Sequence, residues 1–290
     1  MDQDFFINRA SNKLSVTGCD RILRNSSSFD FHSSLPGYKP TPLLKLSNLG
    51  KRLGVANLFV KDETFRFGLN AFKGLGASYA INTILKDKPY IETFCTATDG
   101  NHGRAVAWSA KREGKRSIIF VPAGTTQSRV KAIEKEGADV TIIDGTYDET
   151  CEHALKISKE SGWELVQDTA WDGYEDIPAR IMAGYLTLFQ ELEDSIHILP
   201  EPTVDIVFLQ AGVGSWAATA IWYYFNRYGE QRPKMVIVEP KESDGILESF
   251  KNSYRTKPLG SLETIMAGLN CGIPSKSAWE INASCSMFSV

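Results

Sequence analysis

From about residue 55 onward, short β-branched or apolar runs repeatedly lead into longer segments with helical periodicity. That alternation restricts the fold more than any other feature of the chain. Leu58-Phe59-Val60, Phe94 to Ala97, Ser117 to Val121, Val140 to Ile143, Leu165-Val166, Val204 to Leu209 and Met235 to Val238 are predicted strands. Helices are predicted over Lys73 to Leu85, His102 to Lys111, Thr126 to Glu136, Asp148 to Ser158, Ile181 to Leu192 and Ser215 to Tyr228. Strands that run parallel need a crossover between them, and helices of this length supply it. The pattern predicts an α/β protein with mostly parallel sheets, in two three-layer domains with a cleft between them. Ligands of such folds bind where strands end and loops lead into helices. The first forty residues, including Asn25-Ser26-Ser27-Ser28, are predicted to be irregular.

Composition narrows the function classes. At 290 residues, with 42% hydrophobic and 23% charged residues, the chain has the makings of one large or two medium globular domains. A formal net charge of −3 argues against nucleic acid or an anionic membrane surface as the main partner. Cys19, Cys95, Cys151, Cys271 and Cys285 are scattered and form no CxxC pair, which fits reduced thiols in a cytoplasmic compartment. The acidic start, Met1-Asp2-Gln3-Asp4, shows no secretory signal. Val204 to Phe225 is the most membrane-like stretch, but Asp205, Gln210 and the Ala211 to Ser215 turn break it into strand, loop and helix. His32, His102, His153 and His197 have no metal-ligand spacing, so no metal is expected.

Chemistry concentrates in four places. Lys73 lies in Leu69-Asn70-Ala71-Phe72-Lys73-Gly74-Leu75-Gly76-Ala77-Ser78-Tyr79-Ala80, the one charge in an apolar run. Such surroundings strip hydration from an ammonium, so a lowered pKa and a neutral, Schiff-base-forming amine are expected; a lysine on a helix surface is the bland alternative. Gly212-Val213-Gly214-Ser215 follows a strand and opens a helix, where converging amides could hold a phosphate, or simply turn the chain. In Thr98-Asp99-Gly100-Asn101-His102-Gly103, the flat amide of Asn101 suits a phenolic oxygen, and Asp99 is either a helix cap or a base. Asp168, in Gln167-Asp168-Thr169-Ala170-Trp171, could have a raised pKa and accept a proton, or be an exposed loop acid.

Asn70-Ala71-Phe72-Lys73, Asp99-Gly100-Asn101-His102-Gly103, Gln167-Asp168-Thr169-Ala170-Trp171 and Gln210-Ala211-Gly212-Val213-Gly214-Ser215, in this order, resemble one family. The chain resembles the diaminopropionate ammonia-lyases, within the fold-type II (tryptophan synthase β-like) pyridoxal phosphate enzymes. The likeness extends from Phe31 through Lys61-Asp62-Glu63-Thr64-Phe65-Arg66-Phe67-Gly68 to Met266-Ala267-Gly268-Leu269-Asn270-Cys271-Gly272. It implies that Lys73 binds pyridoxal 5′-phosphate, Asn101 faces the pyridine hydroxyl oxygen and Gly212, Val213, Gly214 and Ser215 take the phosphate. It also implies that Asp99 and Asp168 are bases on opposite faces of a small amino acid. The implied reaction is β-elimination of 2,3-diaminopropionate, in both stereoisomers, to pyruvate and ammonia, by a homodimer.

The implied division is a large domain of residues 1–72 and 170–290 and a small domain of residues 73–169. Related dehydratases have a small residue where Asp99 stands, so a serine or threonine dehydratase is the runner-up. The match stops near Trp279-Glu280-Ile281, and Asn282 to Val290 do not continue it. Family members carry roughly a hundred further residues, about a small domain, including the partner of the pyridine nitrogen. An inactive cofactor-binding or dimerising remnant is therefore a rival expectation, as is reduced stability. Trp222-Tyr223-Tyr224-Phe225 is expected in the core, with an interface as the alternative.

Overall fold

A computed structural model describes residues 5–9, 18–98, 100–196, 204–284 and 287–289. Asp99, His197 and Cys285 lie outside the described residues. The strands in chain order are β1 (Phe6–Asn8), β2 (Leu43–Lys45), β3 (Phe59–Lys61), β4 (Thr93–Ala97) and β5 (Arg116–Pro122). They continue with β6 (Asp139–Ile143), β7 (Glu164–Leu165), β8 (Ile206–Gln210), β9 (Lys234–Val238) and β10 (Met287–Ser289). One sheet has the order β6-β5-β4-β7 and is parallel throughout. A second has the order β1-β10-β9-β8, parallel except where β1 meets β10. β2 and β3 form a separate antiparallel pair.

Burial explains why the first sheet is parallel. Every residue of β4 is buried, as expected of a strand with helices on both faces. Ala105, Val106 and Ala110 of the helix Asn101–Arg112, and Ile81 and Ile84 of Lys73–Asp87, share a core with Phe94, Ile119 and Val121. Cys95, Ala97 and Phe120 join Ala154 of the helix Tyr147–Ser161 in a smaller cluster. That helix opens on a capping box, with the Thr146 hydroxyl accepting from the Glu149 amide and Glu149 reaching back. In the second sheet, Leu209, Met235 and Ile237 pack with Ala217, Ala218 and Ile221 of the helix Ser215–Tyr228. Trp222 and Tyr224 are buried in this core, and Tyr223 and Phe225 pack against it.

The helix Asp176–Ile196 joins the two cores, contributing Ile181 and Tyr185 to one and Met182 and Phe189 to the other. Its approach to Lys73–Asp87 requires glycine. A Cβ on Gly76 would sit 2.6 Å from the Tyr185 ring, and one on Gly184 would sit 2.8 Å from Gly76 Cα. The first forty residues depart from the expectation of irregular chain, because Gly18–Arg24 and Ser28–Ser33 are helical. Their stability comes from docking rather than propensity: Leu23 joins the core, and the His32 ring, fully buried, bonds Thr187 Oγ1 at 2.6 Å and the Leu75 carbonyl at 3.1 Å.

The described cysteines are free thiols, and no described helix is long and apolar enough to cross a membrane. Among the described residues, no group of three or more His, Cys, Asp or Glu could hold a metal ion.

Candidate active site

Lys73 is the first residue of its helix, and the chain before it is tightly constrained. Phe67 and Asn70 are left-handed, with φ of 51° and 58°, a conformation that needs support from its surroundings. Arg66, next to Phe67 and 1% exposed, supplies it through ion pairs with Glu63 and Glu191. Arg104 donates to the carbonyls of Leu69 and Gly68 at 3.0 and 3.1 Å, tying this turn to the helix Asn101–Arg112. Phe72 packs on Trp216 with ring centroids 4.9 Å apart, so the lysine is also fastened to the helix that follows the glycine loop.

Asp168 arrives by a different route. Beyond β7 the chain continues along β4, with Val166 N–H donating to the Cys95 carbonyl at 2.8 Å. Gln167 is buried, and its Oε1 accepts from Thr96 Oγ1 at 2.7 Å and Ala97 N–H at 3.1 Å. Asp168 therefore emerges at the carboxyl end of the parallel sheet. Three bonds secure the segment to the opposite sheet: Ser215 Oγ donates to the Asp168 carbonyl at 2.8 Å, Ala170 N–H to Ser275 Oγ at 2.9 Å, and Ser275 N–H to the Val213 carbonyl at 2.8 Å. The 212–215 loop and Asp168 are one hydrogen-bonded unit.

Lys73 Nζ, 22% exposed at the side chain, is ion-paired with Asp168 Oδ2. This pair overturns two expectations. Burial does disfavour the Lys73 ammonium, but Asp168 outweighs it, and the pKa is raised rather than lowered. Burial likewise disfavours the Asp168 carboxylate, but the positive charge of Lys73 and the hydrogen bond it donates hold the carboxyl well below the usual carboxylate range. The acid is 6% exposed, so the loop-acid alternative also falls. The apolar run around Lys73 is real, but its partner lies 95 residues further along.

Gly214 is left-handed, with φ of 89°, and ends the loop at the N-cap of the helix Ser215–Tyr228. A Cβ on Gly212 would come within 2.6 Å of Cys271 Sγ, so the loop is built to the dimensions of glycine. Amides gathered at the start of a fourteen-residue helix favour an anion. Asn101 is exposed at the start of its own helix, directly before buried His102. Gly103 lets that helix start close over the sheet: a Cβ there would lie 2.7 Å from Ile119 Cγ2.

Sequence reasoning passed over Ser275, which bridges the loop and the Asp168 segment, and Tyr185, whose buried hydroxyl is in electrostatic contact with Lys73. Only the proximity of His102 to Asp99 and Asn101 in the sequence could have marked that histidine.

An amine and a glycine loop at a helix start, joined through the Asp168 segment, are groups that an aldehyde- and phosphate-bearing cofactor could use. Residues 34–286 match the pyridoxal-phosphate-dependent enzyme family. The chain is 40% identical over 281 residues to diaminopropionate ammonia-lyase of Salmonella typhimurium, covering 88% of this chain and 70% of that protein. The structure is similar to that of holo diaminopropionate ammonia-lyase from Escherichia coli, with a TM-score of 0.89 and 38% identity over 99% of this chain and 76% of that one. The same Escherichia coli enzyme in complex with an aminoacrylate–PLP azomethine reaction intermediate gives a TM-score of 0.87 and 39% identity, covering 99% and 75% of the two chains. The chain belongs to the fold-type II pyridoxal-phosphate-dependent enzymes and, within them, to the diaminopropionate ammonia-lyase family.

Proposed function

We propose that the chain eliminates the β-amino group of 2,3-diaminopropionate, of either configuration, to give pyruvate and ammonia. The observation that carries this is the Lys73–Asp168 pair bonded to the glycine loop, in a chain of this family. The residues fit the cofactor: Lys73 offers an amine, Gly212 to Ser215 a cradle that a Cβ would fill, and the helix start a partial positive charge. Asn101 is assigned to the pyridine hydroxyl oxygen. Bound pyridoxal phosphate supplies an electron sink that stabilises negative charge at the substrate's Cα.

The protein's part is acid–base work and orientation. Asp168 is ionised and can take the Cα proton from one face; Asp99 is assigned the other face, so that both stereoisomers are used. While Lys73 is an ammonium it holds Asp168 in a weakly basic state. A neutral Lys73 nitrogen would leave Asp168 the stronger base. Base strength at this position is therefore coupled to the protonation state of Lys73. Association as a homodimer belongs to the same reading and is checked by sedimentation of the loaded protein.

The test compares wild type with Lys73→Ala, Asp168→Asn and Asp99→Asn. Added cofactor should give a visible absorption band that depends on Lys73, and each aspartate variant should lose mainly one stereoisomer in an ammonia-release assay. An unchanged band in Lys73→Ala, equal loss of both isomers in both aspartate variants, or preferred turnover of threonine would overturn the assignment.

A further inference from the structure

His102 has one ring nitrogen that the site described so far does not use. Its Nε2 lies 2.7 Å from the Val166 carbonyl oxygen. A carbonyl only accepts, so Nε2 carries the proton and Nδ1 presents a lone pair. Nδ1 is buried, has no hydrogen-bond partner among the described residues and lies 3.7 Å from Asp168 Oδ2. His102 as a whole is 6% exposed, and burial pushes its imidazole below the ordinary value, so the ring is neutral. Two proton acceptors, a carboxylate and a bare imidazole nitrogen, thus face each other with no donor from the described residues between them. Such a pair binds a single proton more firmly than either group alone.

We propose that His102 is a positioning residue that acts through Asp168, its Nδ1 accepting a hydrogen bond from the Asp168 carboxyl once that carboxyl has taken the substrate's Cα proton. The proposal rests on the reading of Asp168 as a base. The Cα–H bond breaks and its electron pair stays with the substrate. An O–H bond forms on Asp168, and that O–H donates to Nδ1; no oxidant or reductant is involved. A carboxylate alone is a poor base for a carbon acid, and an acceptor poised to stabilise its protonated form makes it a better one. The Nε2 bond to Val166 fixes the tautomer, as second partners of functional histidines do. Because Val166 belongs to the same segment as Asp168, ring and carboxyl are held in register by neighbouring backbone.

Among the described residues, the other titratable groups in electrostatic reach of the pair are Lys73, Tyr185, Tyr174 and Cys151, and Cys271 faces Lys73. Burial pushes the two phenols and the Cys151 thiol up, the thiol to about 12, so these three stay neutral across the working range. Of these described groups, Lys73 is then the one whose charge bears on the pair.

Two variants separate the ring's bonds. His102→Gln keeps an N–H for the Val166 carbonyl but has no acceptor toward Asp168. His102→Asn keeps an acceptor near the Nδ1 position and gives up the Val166 bond. In the loaded enzyme, His102→Gln should lower kcat about tenfold or more for the isomer that Asp168→Asn loses, and leave the other isomer within about twofold. The acid limb of the affected pH profile should move to lower pH, and His102→Asn should retain most of that limb.

A second readout needs no cofactor. With 15N-labelled histidine, Lys73→Ala should raise the pH at which the His102 ring takes up a proton, and Lys73→Ala/Asp168→Asn should abolish the rise. This arm also decides the matter if His102→Gln fails to fold. Equal loss of both isomers, full activity on both, or a His102 titration unmoved by Lys73→Ala overturns the proposal. If wild type releases ammonia from neither isomer, the β-elimination reading fails, while the imidazole titration still decides whether the pair shares a proton.

Discussion

Glu191→Ala should be the most damaging substitution outside the site. Glu191 accepts from both terminal nitrogens of Arg66 at 2.7 Å, from Lys61 Nζ at 2.7 Å, from the Tyr38 hydroxyl at 2.7 Å and from the Thr41 amide at 3.1 Å. Burial alone would raise its pKa, but Arg66 and its other donors hold it down, from the ordinary 4.5 to about 2. A drop of that size corresponds to roughly 3 kcal/mol favouring the ionised, folded form. Removing one member of a buried pair costs about 3–5 kcal/mol, because the other charge is stranded, and the two figures agree.

The sign follows from the depressed pKa: the contribution is complete above about 4.5 and is lost as the pH falls toward about 2. Urea unfolding at pH 7 should show a lower midpoint at constant slope, worth about 3–5 kcal/mol. The control is Arg66→Met/Glu191→Leu, which strands no guanidinium. Its loss should be smaller than the two single losses combined by about 2 kcal/mol or more. A cost below about 1 kcal/mol for Glu191→Ala, or strict additivity in the double variant, would refute the stranded-charge argument.

Gly212→Ala drives a methyl group to 2.6 Å from Cys271 Sγ and 3.4 Å from Leu269 Cα. Overpacking of about 1–3 kcal/mol should weaken cofactor affinity roughly tenfold or more, measured by absorbance titration, and Gly212→Ala/Cys271→Ala should recover most of it. Glu239 is buried and accepts from the amides of Ile246 and Leu247 at 2.9 and 2.8 Å, and burial raises its pKa to about 8. Between the ordinary 4.5 and about 8 the folded state holds a proton that the unfolded state releases, so wild type should lose thermal stability as the pH rises through that window. Glu239→Gln should flatten the profile there; an unchanged slope would show that Glu239 ionises normally.

What could be read from the sequence follows from range. Strands such as Phe94 to Ala97 and Met235 to Val238 are written in adjacent residues, and the alternation with helices announces parallel sheets before any contact is known. The short helices Gly18–Arg24 and Ser28–Ser33 were not legible, because their stability comes from surfaces that arrive later, including Thr187 and Met182 on the helix Asp176–Ile196. The glycine loop could be located but not interpreted. Its meaning depends on Ser215 bonding the Asp168 carbonyl and Ser275 bonding Val213, contacts between segments far apart in the chain. Arg66 and Glu191 are separated by 125 residues and carry no local signature at all.

The state of Lys73 shows the limit most clearly. Judged by its sequence neighbours it should be a neutral amine, since Leu75 and the two glycines offer an ammonium nothing and Phe72 only its ring face, 5.7 Å from Nζ. Judged by its contact it is a cation, because the chain brings Asp168 to it. Each carries part of the chemistry. The apolar lining keeps water from screening the pair, so its mutual stabilisation is large and Asp168 stays weakly basic while the lysine remains charged. Withdrawing the lysine's charge then changes Asp168 more than it would at a wet surface. Burial in the apolar run lowers the lysine's pKa by less than Asp168 raises it, and it also strengthens the coupling between the lysine and that distant carboxylate, which in turn faces His102.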